Sequence, residues 1–158
     1  GDFETLTKHL TNLVDDDNKV WGETRYCENN TVNMILTMYK RRASQNGISV
    51  KISAKASGSL AVPPQDLVAV IANLFENAIN EVANLKSKEG YIDIQIKDSP
   101  ERLLIKIDNP CRANLTFDEN LYGIGIRSVI STTSKYEGMY DFTAEDGAFS
   151  AKIILNLK

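Results

Sequence analysis

The run from Leu67 to Leu85, LVAVIANLFENAINEVANL, leaves the chain little choice of local structure. At about 100° of rotation per residue, Leu67, Val70, Ile71, Leu74, Ala78, Val82 and Leu85 fall on one side of a helix, and that side is core. Asn73, Asn77, Asn80 and Asn84 gather on a strip within roughly 60° of arc beside it, close enough to the core edge to line a cleft. Asparagine is a middling helix former that offers a neutral carbonyl and an amide, so this flank needs an explanation. A solvated face accounts for any one of the four. Asn73 and Asn77, one turn apart beside the apolar seam, read better together as part of a binding site.

A chain of 158 residues suits one domain, able to bury about 70% of its unfolded surface without staples. The 18 basic and 21 acidic residues leave a net charge of −3, with no basic run and no basic-aromatic interleaving, which argues against a nucleic-acid partner. Cys27 and Cys111 are too few for a disulfide framework or a zinc site and read as reduced thiols. No stretch is long and apolar enough to span a membrane, and no charged-then-apolar leader is visible.

In order, Phe3, Leu6, Leu10, Leu13 and Val14 predict an amphipathic helix that carries the sole histidine, His9, and stops at Asp15-Asp16-Asp17-Asn18. His9 has no acidic or cysteine partner at useful spacing and reads as a surface or packing residue. Trp21, Tyr26 and Cys27 lie in an irregular connection. A second helix is expected from about Thr31 to Ser44, with Val32, Ile35, Leu36, Tyr39 and Ala43 inward and Gly47 as its left-handed cap. Ile48, Val50, Ile52 and Ala54 alternate as a half-buried strand, and Pro63, Pro64 and Asp66 suit the opening turn of the Leu67 helix. Ile92, Ile94 and Ile96, a turn at Asp98-Ser99-Pro100-Glu101, then Leu103, Ile105 and Ile107 predict an antiparallel hairpin. From Asn109 to Tyr122 no period survives. A short helix with Ile126, Val129 and Ile130 inward follows, then a hairpin of Met139–Ala144 with Phe149–Leu157 across Asp146-Gly147. Hairpins plus helices needing one shared face to cover predict an α+β fold, a two-layer α/β sandwich in which helices cover one face of a mixed sheet.

Three features carry possible chemistry: the Asn73/Asn77 helix, Asp108 at a strand end, and Gly123-Ile124-Gly125 opening a helix. Glycines at a helix N-terminus let backbone N–H groups approach an anion, although a plain turn explains them equally. Asp108 could accept a hydrogen bond from an exocyclic purine amine or could simply start the Asp-Asn-Pro turn. An asparagine oxygen is a reasonable ligand for Mg²⁺, which keeps several waters and shares phosphate oxygens.

Together and in this order these motifs resemble the Bergerat-fold (GHKL) ATPase superfamily. The closest likeness is to the ATP-binding domain of sensor histidine kinases, particularly the quorum-sensing peptide-receptor type of Gram-positive bacteria. The residues that carry it are Arg25-Tyr26-Cys27-Glu28-Asn29, the N-box Asn73-Leu74-Phe75-Glu76-Asn77-Ala78, Asp108-Asn109 as the remnant of the first glycine box, and Tyr122-Gly123-Ile124-Gly125-Ile126 as the second. The resemblance implies that Asn77 helps hold Mg²⁺ on ATP, with Asn73 one turn away on the phosphate side and Asp108 reading the adenine amine. It implies that Asn80, Asn109, Tyr122, Ile124, Ile126 and Arg127 belong to the ATP site, that Gly123 and Gly125 start the phosphate-cradling helix, and that the aperiodic loop is the ATP lid. It further implies residues 1–18 as the end of a dimerisation helix and 19–158 as the kinase domain. The implied partners are the phosphoacceptor and dimerisation domain of the same kinase and a response regulator. The implied setting is a full-length homodimer, with this domain on the cytoplasmic side of a membrane-anchored receptor.

The chain also departs from the pattern. Pro110 and Cys111 replace the first glycine box after Asp108-Asn109, as in the peptide-receptor branch. Asn80 stands where many kinases place a cation, which leaves Arg127 as the candidate for charge neutralisation, a solvated helix residue being its other reading. No phosphoacceptor histidine is recognisable. The expected function is transfer of the ATP γ-phosphoryl to a histidine outside this sequence. The alternative is a nucleotide-binding regulatory module that phosphorylates nothing, and a hydrolysing member would need an acidic residue at position 73.

Overall fold

The computed structural model describes Thr5 and residues 24–85, 89–113 and 123–158. The expected first helix with His9, the Asp15–Asn18 stop, Trp21, residues 114–121 of the aperiodic loop and Tyr122 lie outside the described residues. Helix α1 runs Asn30–Gln45 and starts where the Asn29 side chain accepts the Val32 N–H at 3.0 Å, offsetting one of the donors a helix start leaves unpaired. Its inward residues are the predicted Val32, Ile35, Leu36, Tyr39 and Ala43. It ends as expected at Gly47, φ +71°, whose N–H reaches the Ser44 carbonyl while that of Ile48 reaches Ala43, a paired closure that needs a left-handed residue.

Five strands follow: β1 Ser49–Lys55, β2 Tyr91–Asp98, β3 Arg102–Pro110, β4 Met139–Glu145 and β5 Ala148–Asn156. Their spatial order is β1-β2-β3-β5-β4. β1 and β2 are parallel, and every other pair is antiparallel. Both predicted hairpins form, and Asp146 and Gly147, at φ 51° and 76°, close the second with the doubly positive backbone that matches strand twist. Beyond the hairpins, β5 inserts between β3 and β4 and so carries the second hairpin into the sheet.

The parallel β1–β2 pair needs a crossover, and helix α2 supplies it. This helix begins at Pro64–Leu67, passes through a π-helical turn at Val68–Ala72 and continues as Asn73–Asn84. Its predicted core residues are buried except Leu85, which is half-buried. Phe75 and Ile79 are buried too, because α2 packs against α1 as well as the sheet, with Phe75 stacked on Tyr39 at 5.5 Å. Helix α3, Ile124–Lys135, packs beside α2. At their far ends the buried Asp66 carboxylate takes the Tyr136 O–H and the Lys135 ammonium, so it enters the interior already paired.

The helices cover one face of the sheet, lined by Ile92, Ile94 and Ile96 of β2, Leu103, Ile105 and Ile107 of β3, and Phe149, Ala151, Ile153 and Leu155 of β5. Each fully buried aliphatic side chain there contributes roughly 1.5–3 kcal/mol. The chain thus forms the expected α+β sandwich.

Candidate functional site

The π-turn sets the first wall of the site. Widening the helix by one residue takes the Ala69 carbonyl out of the regular ladder, and the Asn73 side chain donates its Nδ2 to it at 2.6 Å. That bond fixes the amide, and Oδ1 is left facing α3. A Cβ added at Gly125 would sit 3.1 Å from this oxygen, so the start of α3 approaches Asn73 closely enough that a side chain there would push the amide back by a few tenths of an ångström. Asn73 and the second glycine box, predicted to share a site, are therefore in contact. Asn77, one turn on and half-buried, makes no hydrogen bond with a described residue. Asn80 is exposed.

The second wall is the end of β3. Period two places Asn109 on the face of Ile105 and Ile107, and it is fully buried. Its Nδ2 donates to the Pro110 carbonyl at 2.9 Å, which leaves Oδ1 as the free acceptor, and that oxygen is buried without a partner among the described residues. A buried acceptor left unpaired costs about 1–3 kcal/mol, the mark of a group waiting for a donor. Asp108 points the other way: it is on the helix-free face with Lys106, whose ammonium lies 3.5 Å from its carboxylate. The expectation that Asp108 faces the Asn73/Asn77 flank is corrected, because adjacent strand residues alternate sides and the core claims the side of Asn109. The alternation of Ile105 and Ile107 already carried that signal.

The chain leaving β3 is held to α2. Glu81, one turn past Asn77, accepts from the backbone N–H and the Nε of Arg112 at 3.2 and 3.1 Å, and the Cys111 N–H bonds the Gly147 carbonyl. Spacing within one helix does not reveal this tie, since its partner comes from another element. Glu76 of the N-box is engaged elsewhere, with Arg42 at 3.1 Å and the Tyr39 hydroxyl at 3.2 Å.

The third wall is the start of α3. Gly123 caps it with no side-chain hydrogen bond, so the first backbone N–H groups carry the positive helix end uncapped. Ile124 is 87% exposed and Arg127 is exposed, whereas Ile126 is buried. Ile126, expected both inward and in the ATP site, is buried and seats α3 on the core.

Among the described residues no group of three or more His, Cys, Asp or Glu side chains could hold a metal ion. Burial pushes the Cys27 and Cys111 thiols above their usual range, so they remain protonated and are poor ligands. The single uncommitted oxygen of Asn77 fits Mg²⁺, which takes few protein ligands when phosphates complete its shell. The arrangement can therefore offer uncapped N–H groups, with the exposed Arg127 on the first turn of the same helix, to an anionic ligand, and the oxygens of Asn77 and Asn109 to a cation or a donor.

Residues 62–156 match the family described as GHKL domain. The chain is 31% identical over 120 residues to a probable C4-dicarboxylate sensor kinase of Bacillus subtilis (strain 168), an alignment covering 73% of this chain and 22% of that protein. It thus spans about a fifth of that relative. Among solved structures it is similar to the Acinetobacter baumannii histidine kinase AdeS, with a TM-score of 0.64 and 16% identity over 81% of this chain and 64% of that one. It is also similar to the catalytic domain of the histidine kinase ThkA, with a TM-score of 0.64 and 13% identity over 81% of this chain and 92% of that one.

Proposed function

The chain belongs to the GHKL domain family and has the fold of histidine kinase catalytic domains, and from that premise we propose that it binds Mg-ATP between α2, β3 and α3 and acts as the catalytic domain of a protein-histidine kinase. The γ-phosphoryl passes to a histidine on the phosphoacceptor and dimerisation domain of the same kinase, and a response regulator takes it next. The observation that carries the reading is the seating of Asn73 against Gly125, which joins the N-box flank to an uncapped helix start.

In this reading the Asn109 Oδ1 accepts from the adenine amine, the role the sequence suggested for Asp108. The N–H groups at the start of α3 take phosphate oxygens, and Arg127 supplies the cation that Asn80 does not. Mg²⁺, held through the Asn77 oxygen, supplies charge neutralisation on the phosphates. Catalysis then rests on positioning and electrostatics. Asn73 carries no basic group and its Nδ2 is committed to Ala69, so it cannot take a proton from water, which favours transfer to an incoming imidazole over hydrolysis. Asp108-Asn109-Pro110 supports the quorum-sensing peptide-receptor branch, with this domain on the cytoplasmic side of a membrane-anchored, homodimeric receptor, residues 1–18 ending the dimerisation helix and residues 19–158 forming the kinase domain.

The test mixes the chain with a separately made histidine-bearing helical hairpin and γ-labelled ATP, while the melting temperature is followed with Mg-ATP. Binding at a hundred times the dissociation constant adds about 2.7 kcal/mol. Label on the hairpin is the expected result. A thermal shift with no label would leave the regulatory module standing, and no shift would overturn both readings.

A further inference from the structure

The face of the sheet that no described helix covers, called helix-free in that sense, distributes its charge unevenly. Period two puts Lys51 and Lys55 of β1, Lys97 of β2, Lys106 of β3 and Lys152 of β5 on it, with Arg102 at the start of β3. Strand register then sets Lys55 directly beside Lys97 and Lys106 directly beside Lys152. Like charges opposite one another weaken a sheet, and a chain of net charge −3 is under no compositional pressure to collect them. Apart from Lys106, these cations form no salt bridge with a described residue. The same face carries an apolar row: Leu104 pairs with Ile154 and Ile154 with Met139, Met139 being 68% exposed. At the corner beyond Lys55 opens a cleft of about 510 Å³ with Leu60, Pro100 and Leu157 in its wall, Lys55 and Lys158 beside them, and one acid, Asp98, whose carboxylate accepts the Ser57 N–H.

We propose that this face is a docking surface for an acidic protein, which lays its carboxylates over the opposed lysines and inserts an apolar side chain into the corner cleft. Charge complementarity chooses the occupant. Asp93, opposite Lys51, and Asp108 stand on the face toward the nucleotide end, and Asp141, opposite Lys152, and Glu145 stand on β4, which leaves Lys55 and Lys97 as the pair with no acid across from either. A uniformly anionic membrane or a nucleic-acid duplex meets repulsion there, whereas a folded protein can present an acidic patch of limited outline. The apolar row and cleft supply the desolvated centre such an interface needs. The face lies across the sheet from Asn73 and Gly125, so a docked partner leaves the nucleotide cleft open.

The test uses the full chain and a fluorescein-labelled Glu/Asp peptide carrying one Phe, followed by anisotropy. Binding is expected to weaken with rising salt and to fall about tenfold in the Lys97→Glu/Lys152→Glu double variant. Lys40→Glu, on α1 across the sheet, is expected to leave it within about twofold, and a peptide lacking the Phe to bind more weakly. Lys97→Gln is expected to raise the melting temperature by relieving the charge opposed by Lys55. The variants keep their Mg-ATP thermal shift, so this proposal and the nucleotide reading fail separately. Unchanged peptide binding in the double variant, a lower melting temperature for Lys97→Gln, or tighter Lys97- and Lys152-dependent binding of phosphatidylserine vesicles or duplex DNA than of the peptide would overturn it.

Discussion

Replacing Asn109 by Leu should make the nucleotide-free protein no less stable while weakening its hold on ATP. The side chain is fully buried, its Oδ1 has no partner, and its Nδ2 makes one bond to the Pro110 carbonyl. A leucine of the same branching, though bulkier, removes an unpaired acceptor that costs about 1–3 kcal/mol and forfeits a hydrogen bond of about 1 kcal/mol. The balance is a gain of about 0–2 kcal/mol, read in urea denaturation without nucleotide and worth roughly 2–4 °C of melting temperature per kcal/mol for a chain of this size. With Mg-ATP the sign reverses. Loss of the acceptor facing the adenine amine removes about 1–2 kcal/mol of binding, roughly tenfold in affinity by titration calorimetry. Asp108→Ala, one residue away on the other face of the sheet, should leave affinity within about twofold. If Asn109→Leu costs more than about 2 kcal/mol of stability and binds ATP normally, or if Asp108→Ala is the variant that loses affinity, the assignment of the base-reading position is refuted.

Asn77→Ala should abolish the difference between the thermal shifts seen with ATP plus Mg²⁺ and ATP plus EDTA, while the nucleotide-free melting temperature stays within about 2 °C, since a half-buried amide without a partner contributes little to the fold. Gly125→Ala adds up to about 1 kcal/mol of helix propensity but presses a methyl against the Asn73 oxygen 3.1 Å away, so stability should change little and phosphotransfer should fall. Burial, with the Glu76 carboxylate beside it, raises the Tyr39 hydroxyl to about 12. A folded-state value above the unfolded one means its contribution is whole below pH ~10 and is lost as pH climbs toward 12. Denaturation midpoints should decline over that window, and less steeply in Tyr39→Phe.

Periodicity alone determined the elements of this chain: the apolar side of α2, the alternating isoleucines of β2 and β3, both hairpins with their turns, and the Gly47 cap are local rules of backbone geometry and read directly from spacing. Even the inward side of Asn109 was legible, since it continues the phase of Ile105 and Ile107. The carboxylate of Asp108, next door, falls in the opposite phase and so on the other face of the sheet. Only the tertiary structure decided that β5 enters between β3 and β4, that Phe75 and Ile79 are buried against α1 as well as the sheet, and that Gly125 meets Asn73. It also decided that Lys55 lies beside Lys97 and Lys106 beside Lys152. Each of these joins residues far apart along the chain, and such a meeting depends on which surfaces can be buried together rather than on the repeat within any one segment.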